Sequence, residues 1–355
     1  MRVIPPVTIT PAKLISSTLS DIHAPAAYVA GTTYGVGAIV SVAADFKIYE
    51  SLTSSNLGNT PSTSPAWWRA LGATETAYNS GTAYAIGATV SEAGRVFESL
   101  TAANTGNALP VYPETETTNW IYIGPTNKWA CLDLDNNTQS VTTGTFTVVI
   151  APGERVNSLA VVGMAANSLT VSATSVYGGG TVYGPEVIDL NTRLVVNGYD
   201  YCFNAFGTQP SEVFFDLPPF SDLRITVTLT STSGNVKCGG IVTGTYVYLG
   251  EVLSGARNDG LNFSTIERDL YGKATLVPRR TVPKINVQTQ IDASLANKCR
   301  SARVALNAVP ALYCSLEAGS ASWFDSFLSL GIYKTFEINA DNSLSGTINF
   351  EIEEI

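Results

Sequence analysis

The sequence predicts a mainly β protein: two small three-stranded β modules in tandem, then a jelly-roll-like β-sandwich and a C-terminal β-rich domain with one helix. Three observations support this fold class. Hydrophobic residues make up 45% of the 355 residues and charged residues only 14%, a composition typical of chains with apolar cores. The first third of the chain contains an internal repeat. The remainder alternates short β-branched or aromatic segments with Gly and Asn turns, which favours strands.

The repeat is a frame of Tyr-x-x-Gly-x-x-Tyr-x-x-Gly-x-x-Val, present at residues 28–40 and again at 78–90. In both copies a Glu-Ser-Leu-Thr segment, an Asn-x-Gly-Asn segment, a proline and a tryptophan follow in the same order. This spacing indicates a duplicated module, and we assign module 1 to residues 26–73 and module 2 to residues 76–125. A domain this small has little apolar area, so aromatic residues must form most of its core. The predicted core aromatics are Tyr34, Tyr49, Trp68, Tyr84, Phe97 and Trp120.

The rest of the chain divides by its pattern into three further segments. Residues 1–25 are expected to form an N-terminal arm. Many short apolar segments at regular spacing predict the β-sandwich over residues 126–250, with one of its turns at 233–235. Residues 251–355 are expected to form a C-terminal α+β assembly domain, in which Ala-rich Gln290–Leu306 is the predicted helix.

Three polar loops are also interpreted from their residue types. The Asn-x-Gly-Asn segments place Asn56, Asn59, Asn104 and Asn107 beside glycine, which favours left-handed turn positions. The segment 133–137 is similar to a calcium loop, but Thr138 and Gly144 stand where that loop needs Gly and Glu, so we predict a plain turn. The acidic residues Glu251, Asp259, Glu267 and Asp269 are expected in a loop that forms ion pairs with nearby arginines.

Composition excludes several classes of function. The formal net charge is −9 without a basic patch, so nucleic-acid binding is not expected. A single histidine, His23, rules out sites built on two histidines, and we expect no metal and no cofactor. No apolar run has the length of a membrane span, and the N-terminus shows no signal-peptide pattern. The five scattered cysteines indicate free buried thiols in a reducing compartment, with a Cys202–Cys238 disulfide as the alternative.

The repeat frame resembles the small chitin-binding carbohydrate modules of families 5 and 12, and the resemblance covers residues 26–125 twice over. It implies that exposed aromatic rings stack on the flat faces of sugars. By position the implied contact residues are Tyr28, Tyr78 and Trp67, although the counterpart of Trp67 in module 2 is Asn119. The Ser-Leu-Thr-x-x-Asn-x-Gly-Asn stretch and the junction at 124–130 are also similar to those of tail proteins of tailed bacteriophages.

This second resemblance implies a virion structural protein of a siphophage-like tail tip or baseplate, made in the host cytoplasm and located in the virion tail. Its expected partners are other tail or baseplate proteins, further copies of itself in a trimer or hexamer, and host surface glycans. We expect no enzymatic activity and name no catalytic residue, since no sequence context marks an acid pair. The alternatives are a secreted polysaccharide-binding protein and a glycoside hydrolase with appended carbohydrate-binding modules.

Overall fold

The computed structural model describes residues 1–19, 27–42, 47–73, 76–111, 114–192, 197–204, 207–268, 271, 273–315 and 324–355. Strands account for 50% of the residues and helices for 7%, which confirms the prediction of a mainly β chain. The chain forms two compact units: the module segment, residues 19–130, and the body, residues 1–18 together with 131–355.

This division differs from the expected one in two places. Residues 1–18, expected in a separate arm, belong to the body. The sandwich and the C-terminal domain, expected to divide at residue 250, form one unit, because apolar side chains from both halves share two cores. Contacts between residues far apart in the sequence set these boundaries, and composition does not report them.

The strands and helices have the following bounds. The strands of the N-terminal segment and the modules are β1 (Arg2–Ile4), β2 (Leu14–Ser17), β3 (Ile39–Val42), β4 (Lys47–Ser51), β5 (Trp68–Ala73), β6 (Thr76–Ala77), β7 (Thr89–Glu92), β8 (Arg95–Ser99) and β9 (Trp120–Pro125). Those that follow are β10 (Ser140–Ile150), β11 (Ser158–Val162), β12 (Ser168–Ser175), β13 (Thr181–Asp189), β14 (Asn191–Thr192), β15 (Gly207–Thr208), β16 (Glu212–Phe214), β17 (Leu223–Cys238), β18 (Gly240–Gly244) and β19 (Val247–Tyr248). The last are β20 (Glu251–Val252), β21 (Arg257–Asn262), β22 (Thr265–Arg268), β23 (Ala274–Val277), β24 (Thr281–Asp292), β25 (Ala311–Cys314), β26 (Leu328–Ala340) and β27 (Ser345–Glu354). The helices are α1 (Gly198–Phe203) and α2 (Ala296–Ala305), with 3₁₀ turns at Ala293–Leu295 and Asp325–Phe327.

Each module is built on an antiparallel three-stranded meander, β3-β4-β5 in module 1 and β7-β8-β9 in module 2. The Val40–Tyr49 and Val90–Phe97 pairs face each other across the two hairpins, so the repeat frame places the same residue types at the same register. In module 2 the short strand β6 adds to β7 in parallel, and in module 1 a single parallel bridge between Ala27 and Ser41 takes that place.

The body contains three main sheets. One has five strands in the order β13-β12-β17-β10-β2, one has three in the order β16-β11-β18, and one has eight, with the path β19-β1-β25-β26-β27-β24-β20 and β21 also on β24. Every residue of β11 and β18 is buried, so both faces of the three-stranded sheet are covered. One face, which includes Ala160 and Val242, packs against Ile4 and Leu312 of the eight-stranded sheet. The alternating burial of β12 gives the five-stranded sheet one apolar face, as a sandwich requires.

Strand β1 explains why the first residues belong to the body. It lies between β19 and β25, and Val3 and Ile4 are both fully buried. Their side chains join different cores, since neighbouring residues of a strand point to opposite faces. A three-residue strand has no periodicity that a sequence pattern could detect, so its placement depends entirely on these partners.

The two edges of the eight-stranded sheet meet at Leu249. Its backbone N–H donates to the carbonyl of Met1 at 3.0 Å, next to β1. Its carbonyl accepts from the Thr289 hydroxyl of β24 at 2.8 Å. The sheet therefore curls around its apolar core, and Cys299 and Ala302 of α2 pack into that core.

Two predicted elements differ from the structure. The predicted helix Gln290–Leu306 is shorter, because Ile285, Val287 and Ile291 are buried at strand spacing and keep β24 extended to Asp292. The Asp292 side chain then accepts from the Ser294 N–H at 2.8 Å and starts the 3₁₀ turn that leads into α2. The turn predicted at 233–235 is part of β17, where the pairing with β10 shifts register at a bulge.

The acidic loop predicted after residue 250 is also different in the structure. Glu251 begins β20, Asp259 lies in β21 and Glu267 lies in β22. Asp269 lies outside the described residues. Of the arginines in the expected ion-pair region, Arg280 forms an ion pair with Glu354, at 2.7 Å, and this glutamate is not one of the four predicted acidic residues.

Candidate functional site

Each module contains three aromatic rings packed around its closing tryptophan. In module 1 the rings of Tyr28 and Tyr34 are stacked, with their centroids 5.8 Å apart. Each also makes an edge-to-face contact with Trp68, at centroid distances of 5.8 and 5.3 Å. The matching distances in module 2, among Tyr78, Tyr84 and Trp120, are 6.1, 5.8 and 5.3 Å. The two trios therefore share one geometry, which the repeat frame encodes.

Hydrogen bonds fix the polar atoms of these rings. The indole N–H of Trp68 donates to the carbonyl of Asn59 at 2.9 Å, and that of Trp120 donates to Asn107 at 3.0 Å. The Tyr34 hydroxyl accepts from the backbone N–H of Val29 at 2.8 Å. Because the indole N–H groups and the Tyr34 hydroxyl are satisfied inside the module, their rings can be buried at little desolvation cost, whereas the buried Tyr28 hydroxyl has no hydrogen-bond partner among the described residues.

A buried asparagine connects the loops of each module. In module 2 the Asn104 amide donates to the Ser99 hydroxyl and to the Asn119 carbonyl, both at 3.0 Å, and accepts from Asn107 at 2.8 Å. Its backbone also pairs with Tyr84 in both directions. Asn56 makes the equivalent bonds in module 1.

This asparagine was predicted as a left-handed turn residue, and the structure differs. The positive φ angles belong to its neighbours, 56° at Ser55 and 53° at Ala103, while Asn56 and Asn104 are 1% and 2% exposed. The asparagines instead satisfy buried donors and acceptors from three separate loops. These asparagines do lie in the Gly-containing loop, but they act through their buried side chains and not through a left-handed backbone conformation.

The structure places the three predicted sugar-contact residues differently from one another. Tyr28 and Tyr78 are half-buried in the ring trios, and the Tyr78 hydroxyl donates to the Asn107 carbonyl at 2.7 Å. Burial raises the pKa of Tyr78, and the Glu92 carboxylate adds to the shift. Trp67 is 37% exposed, while its carbonyl accepts from the Leu52 N–H at 2.9 Å. Trp67 therefore presents its ring to solvent from a fixed backbone.

Module 1 has further exposed apolar side chains in its loops, at positions that the sequence did not single out. They are Val29 at 55%, Val36 at 68%, Leu52 at 41% and Leu57 at 54% exposed. In module 2 the counterpart of Val36, Ile86, is equally exposed and the counterpart of Leu52, Leu100, is half-buried, while Asn79, Thr105 and Asn119 take the places of Val29, Leu57 and Trp67. Module 2 exposes Val111 and Ile123 instead. An exposed tryptophan, with apolar residues at two loop positions that are polar in module 2, thus distinguishes module 1.

The segment that is similar to a calcium loop forms a self-contained turn. One Asp133 carboxylate oxygen accepts from the Asp135 N–H at 3.0 Å and the other from the Thr138 hydroxyl at 2.6 Å. The Asp135 carboxylate accepts from the Asn137 N–H at 2.7 Å. These carboxylates are directed into their own turn, and the described residues contain no group of three ligands that could hold a metal ion.

We expect the stability of the protein to depend on pH through the Asp133 carboxyl in this turn. Desolvation of the Asp133 carboxyl inside the turn raises its pKa to about 6, although the residue as a whole stays partly exposed. The folded state then binds this proton more tightly than the unfolded state, so the contribution of Asp133 to stability falls as pH rises from about 4 to 6. Asp133→Asn should therefore raise the unfolding midpoint relative to wild type more at pH 7 than at pH 4, measured by thermal denaturation. Asp341→Asn, in another exposed turn, is the control, and an equal gain in both variants would contradict the assignment.

Four of the five cysteines are buried, as predicted, whereas Cys202 is exposed. All five are free thiols, so the Cys202–Cys238 alternative does not apply. Cys131 and Cys238 are hydrogen-bonded to each other, and this bond lowers the pKa of Cys131 and raises that of Cys238. His23 lies outside the described residues.

Comparison with known proteins identifies no relative. No protein-family model matches the chain, and neither a curated protein nor a solved structure matches it at a significant level. Within the described part of the chain, no helix combines the length and apolar character needed to cross a lipid bilayer.

Proposed function

We propose that the chain is a structural subunit of a bacteriophage tail tip or baseplate, in which the body forms a symmetric oligomer and module 1 contacts a host surface glycan. The observation that carries the proposal is the difference between two otherwise matching modules. Both have the same ring trio and the same buried asparagine, but module 1 has an exposed tryptophan, and it has Val29 and Leu57 where module 2 has Asn79 and Thr105. When two copies of a module share a core and differ mainly at exposed positions, one copy can keep a binding surface while the other serves as a spacer.

The chemistry of the module 1 surface suits a polysaccharide. Sugar rings offer flat C–H faces that stack on indole and pack on aliphatic side chains, with hydroxyl groups at their edges. Trp67 supplies the ring, and the exposed Leu52, bonded through its N–H to the Trp67 carbonyl, and Leu57, next to Asn56 in the chain, supply aliphatic surface. The fixed backbone at Trp67 reduces the conformational entropy that binding would otherwise cost.

Trp67→Ala tests the surface. We expect about a tenfold loss of affinity for insoluble chitin or purified bacterial cell wall, since removing one stacked ring costs on the order of 1.4 kcal/mol. Asn119→Ala, at the equivalent position of module 2, is the matched control and should leave binding unchanged. Co-sedimentation of the full chain with each polysaccharide measures both. Unchanged binding by Trp67→Ala would show that this surface is not the site.

The same samples separate the proposal from its alternatives. Light scattering with negative-stain imaging should give a discrete trimer or hexamer, whereas a monomer would contradict the tail assignment. Release of reducing ends from the polysaccharide on incubation would instead favour a glycoside hydrolase.

A further inference from the structure

The body extends a two-stranded arm, described at residues 257–268, 271 and 273–281, from the edge of its eight-stranded sheet. Strand β21 pairs with β24, and the strands β22 and β23 pair with each other before the chain returns to β24. Every residue of β21 and β22 is exposed, and so are all residues of β23 except Val277, which is half-buried. The part of the chain that the structure describes therefore places no second layer over this hairpin.

The exposed surface of this arm is partly apolar. Ile266 and Leu276 lie directly opposite each other on one face of the hairpin and are 59% and 72% exposed. Phe263, at the base of the hairpin, is 54% exposed. An isolated two-stranded hairpin is only marginally stable in water, and exposed apolar pairs of this kind mark interaction surfaces.

The charge of the arm is opposite to that of the rest of the chain. Residues 257–280 contain five Lys or Arg and three Asp or Glu, a formal charge of +2. The whole chain has a net charge of −9, so the remaining residues have −11. A second copy of this chain therefore offers a surface of complementary charge.

Part of this negative charge lies in a group of carboxylates on one surface of the body. The Tyr183 hydroxyl lies 2.5 Å from a Glu186 carboxylate oxygen and 2.9 Å from one of Asp216, and its single hydrogen can satisfy only one of them. Burial raises the pKa of the neighbouring Glu212, and the charges of Asp325 and Glu186 raise it further. None of these four carboxylates forms an ion pair with a described Lys or Arg residue. We call Glu186, Glu212, Asp216 and Asp325 the acidic cluster.

The acidic cluster lies near the root of the arm of its own copy. Asn258, at the root of the arm, donates to the carbonyl of Ser326 at 2.5 Å, so the root of the arm lies next to Asp325. Glu186, Asp216 and Asp325 are exposed, as is the hairpin, so the hairpin of the same copy does not cover these three carboxylates.

We propose that the arm of one copy docks on the acidic cluster of the next copy. The proposal rests on the oligomer of the proposed function and names the contact that builds it. Reciprocal exchange of arms between two copies would close a dimer, so the trimer or hexamer of the proposed function requires the contact to run from copy to copy around a ring. The apolar Ile266–Leu276 face supplies buried area, and the opposite charges set the register.

Charge reversal tests the contact. Variant A has a reversed arm, Arg268→Glu with Lys273→Glu, and variant B has a reversed cluster, Glu186→Lys with Asp216→Lys and Asp325→Lys. We expect each to be a monomer by light scattering at a concentration where the wild type is a closed oligomer. Combining all five changes in one chain should restore the oligomer. Lys298→Glu with Arg300→Glu, the same charge change as in variant A on exposed residues of α2, is the control and should leave the mass unchanged.

Mixing variants A and B gives a sharper outcome. The intact arm of B fits the intact cluster of A, and the reversed arm of A fits the reversed cluster of B, so the mixture should regain an oligomer in which A and B alternate, although neither variant forms one alone. Ile266→Ser with Leu276→Ser, which keeps all charges, should also dissociate the oligomer, and circular dichroism of every variant checks the fold. An oligomer that resists all three variants would overturn the arm contact alone. A monomeric wild type would overturn both this contact and the tail assignment.

Discussion

Replacing Trp120 with alanine is expected to lower the unfolding free energy of module 2 by about 3–5 kcal/mol, the range for a large aromatic residue removed from a core. Trp120 is 0% exposed and edges against the rings of Tyr78 and Tyr84 at 5.8 and 5.3 Å. The substitution also removes the 3.0 Å hydrogen bond that the Trp120 indole N–H donates to the Asn107 carbonyl. A domain of this size has only a few kcal/mol of stability, so the module should be largely unfolded.

Hydrogen–deuterium exchange on the full chain measures this effect, because it reports the opening of β7, β8 and β9 separately from the body. Protection in these strands should fall in Trp120→Ala and stay unchanged in the body. Trp67→Ala is the matched control: the same side chain is removed, but from an exposed position, and the expected change is within about 0.5 kcal/mol. Equal losses of protection in the two variants would contradict the assignment of Trp120 to the core.

The strand meander and the positions of the core rings could be predicted because the chain contains them twice. Two copies with the same spacing show which residues the scaffold requires, and a period of two residues identifies the buried face of each strand.

The parts that the sequence did not predict depend on distant partners. Strand β1 is three residues long and is defined by its position between β19 and β25. The arm was assigned to a loop because its strands contain charged residues on both faces, and such strands lack the alternation that marks a buried face. The exposed apolar surface of module 1 also has no local signal, since exposure is a property of the folded module.

The buried asparagine is the second large effect. Asn104→Ala should lower the stability of module 2 by about 2–4 kcal/mol, because it leaves the Ser99 hydroxyl, the Asn119 carbonyl and the Asn107 amide with lost partners in a buried site. Asn56→Ala should have a similar effect on module 1, where the same three bonds exist. Hydrogen exchange in each module measures the two losses independently, and a loss confined to one module would contradict the equivalence of the two networks.

Asn104→Asp separates the hydrogen bonds from the packing. The carboxylate keeps the shape of the amide and can still accept from Asn107, but it cannot donate to Ser99 or to the Asn119 carbonyl. Burial next to a carbonyl should raise the pKa of the new carboxyl above its unfolded value of about 3.9. The folded variant then binds the proton more tightly, so its stability should be highest at acidic pH and fall as pH rises above about 4. No loss relative to wild type between pH 4 and 7 would mean that the side chain at position 104 acts through its volume, which aspartate keeps, and a loss that grows with pH would identify its donated hydrogen bonds as what connects the loops of the module.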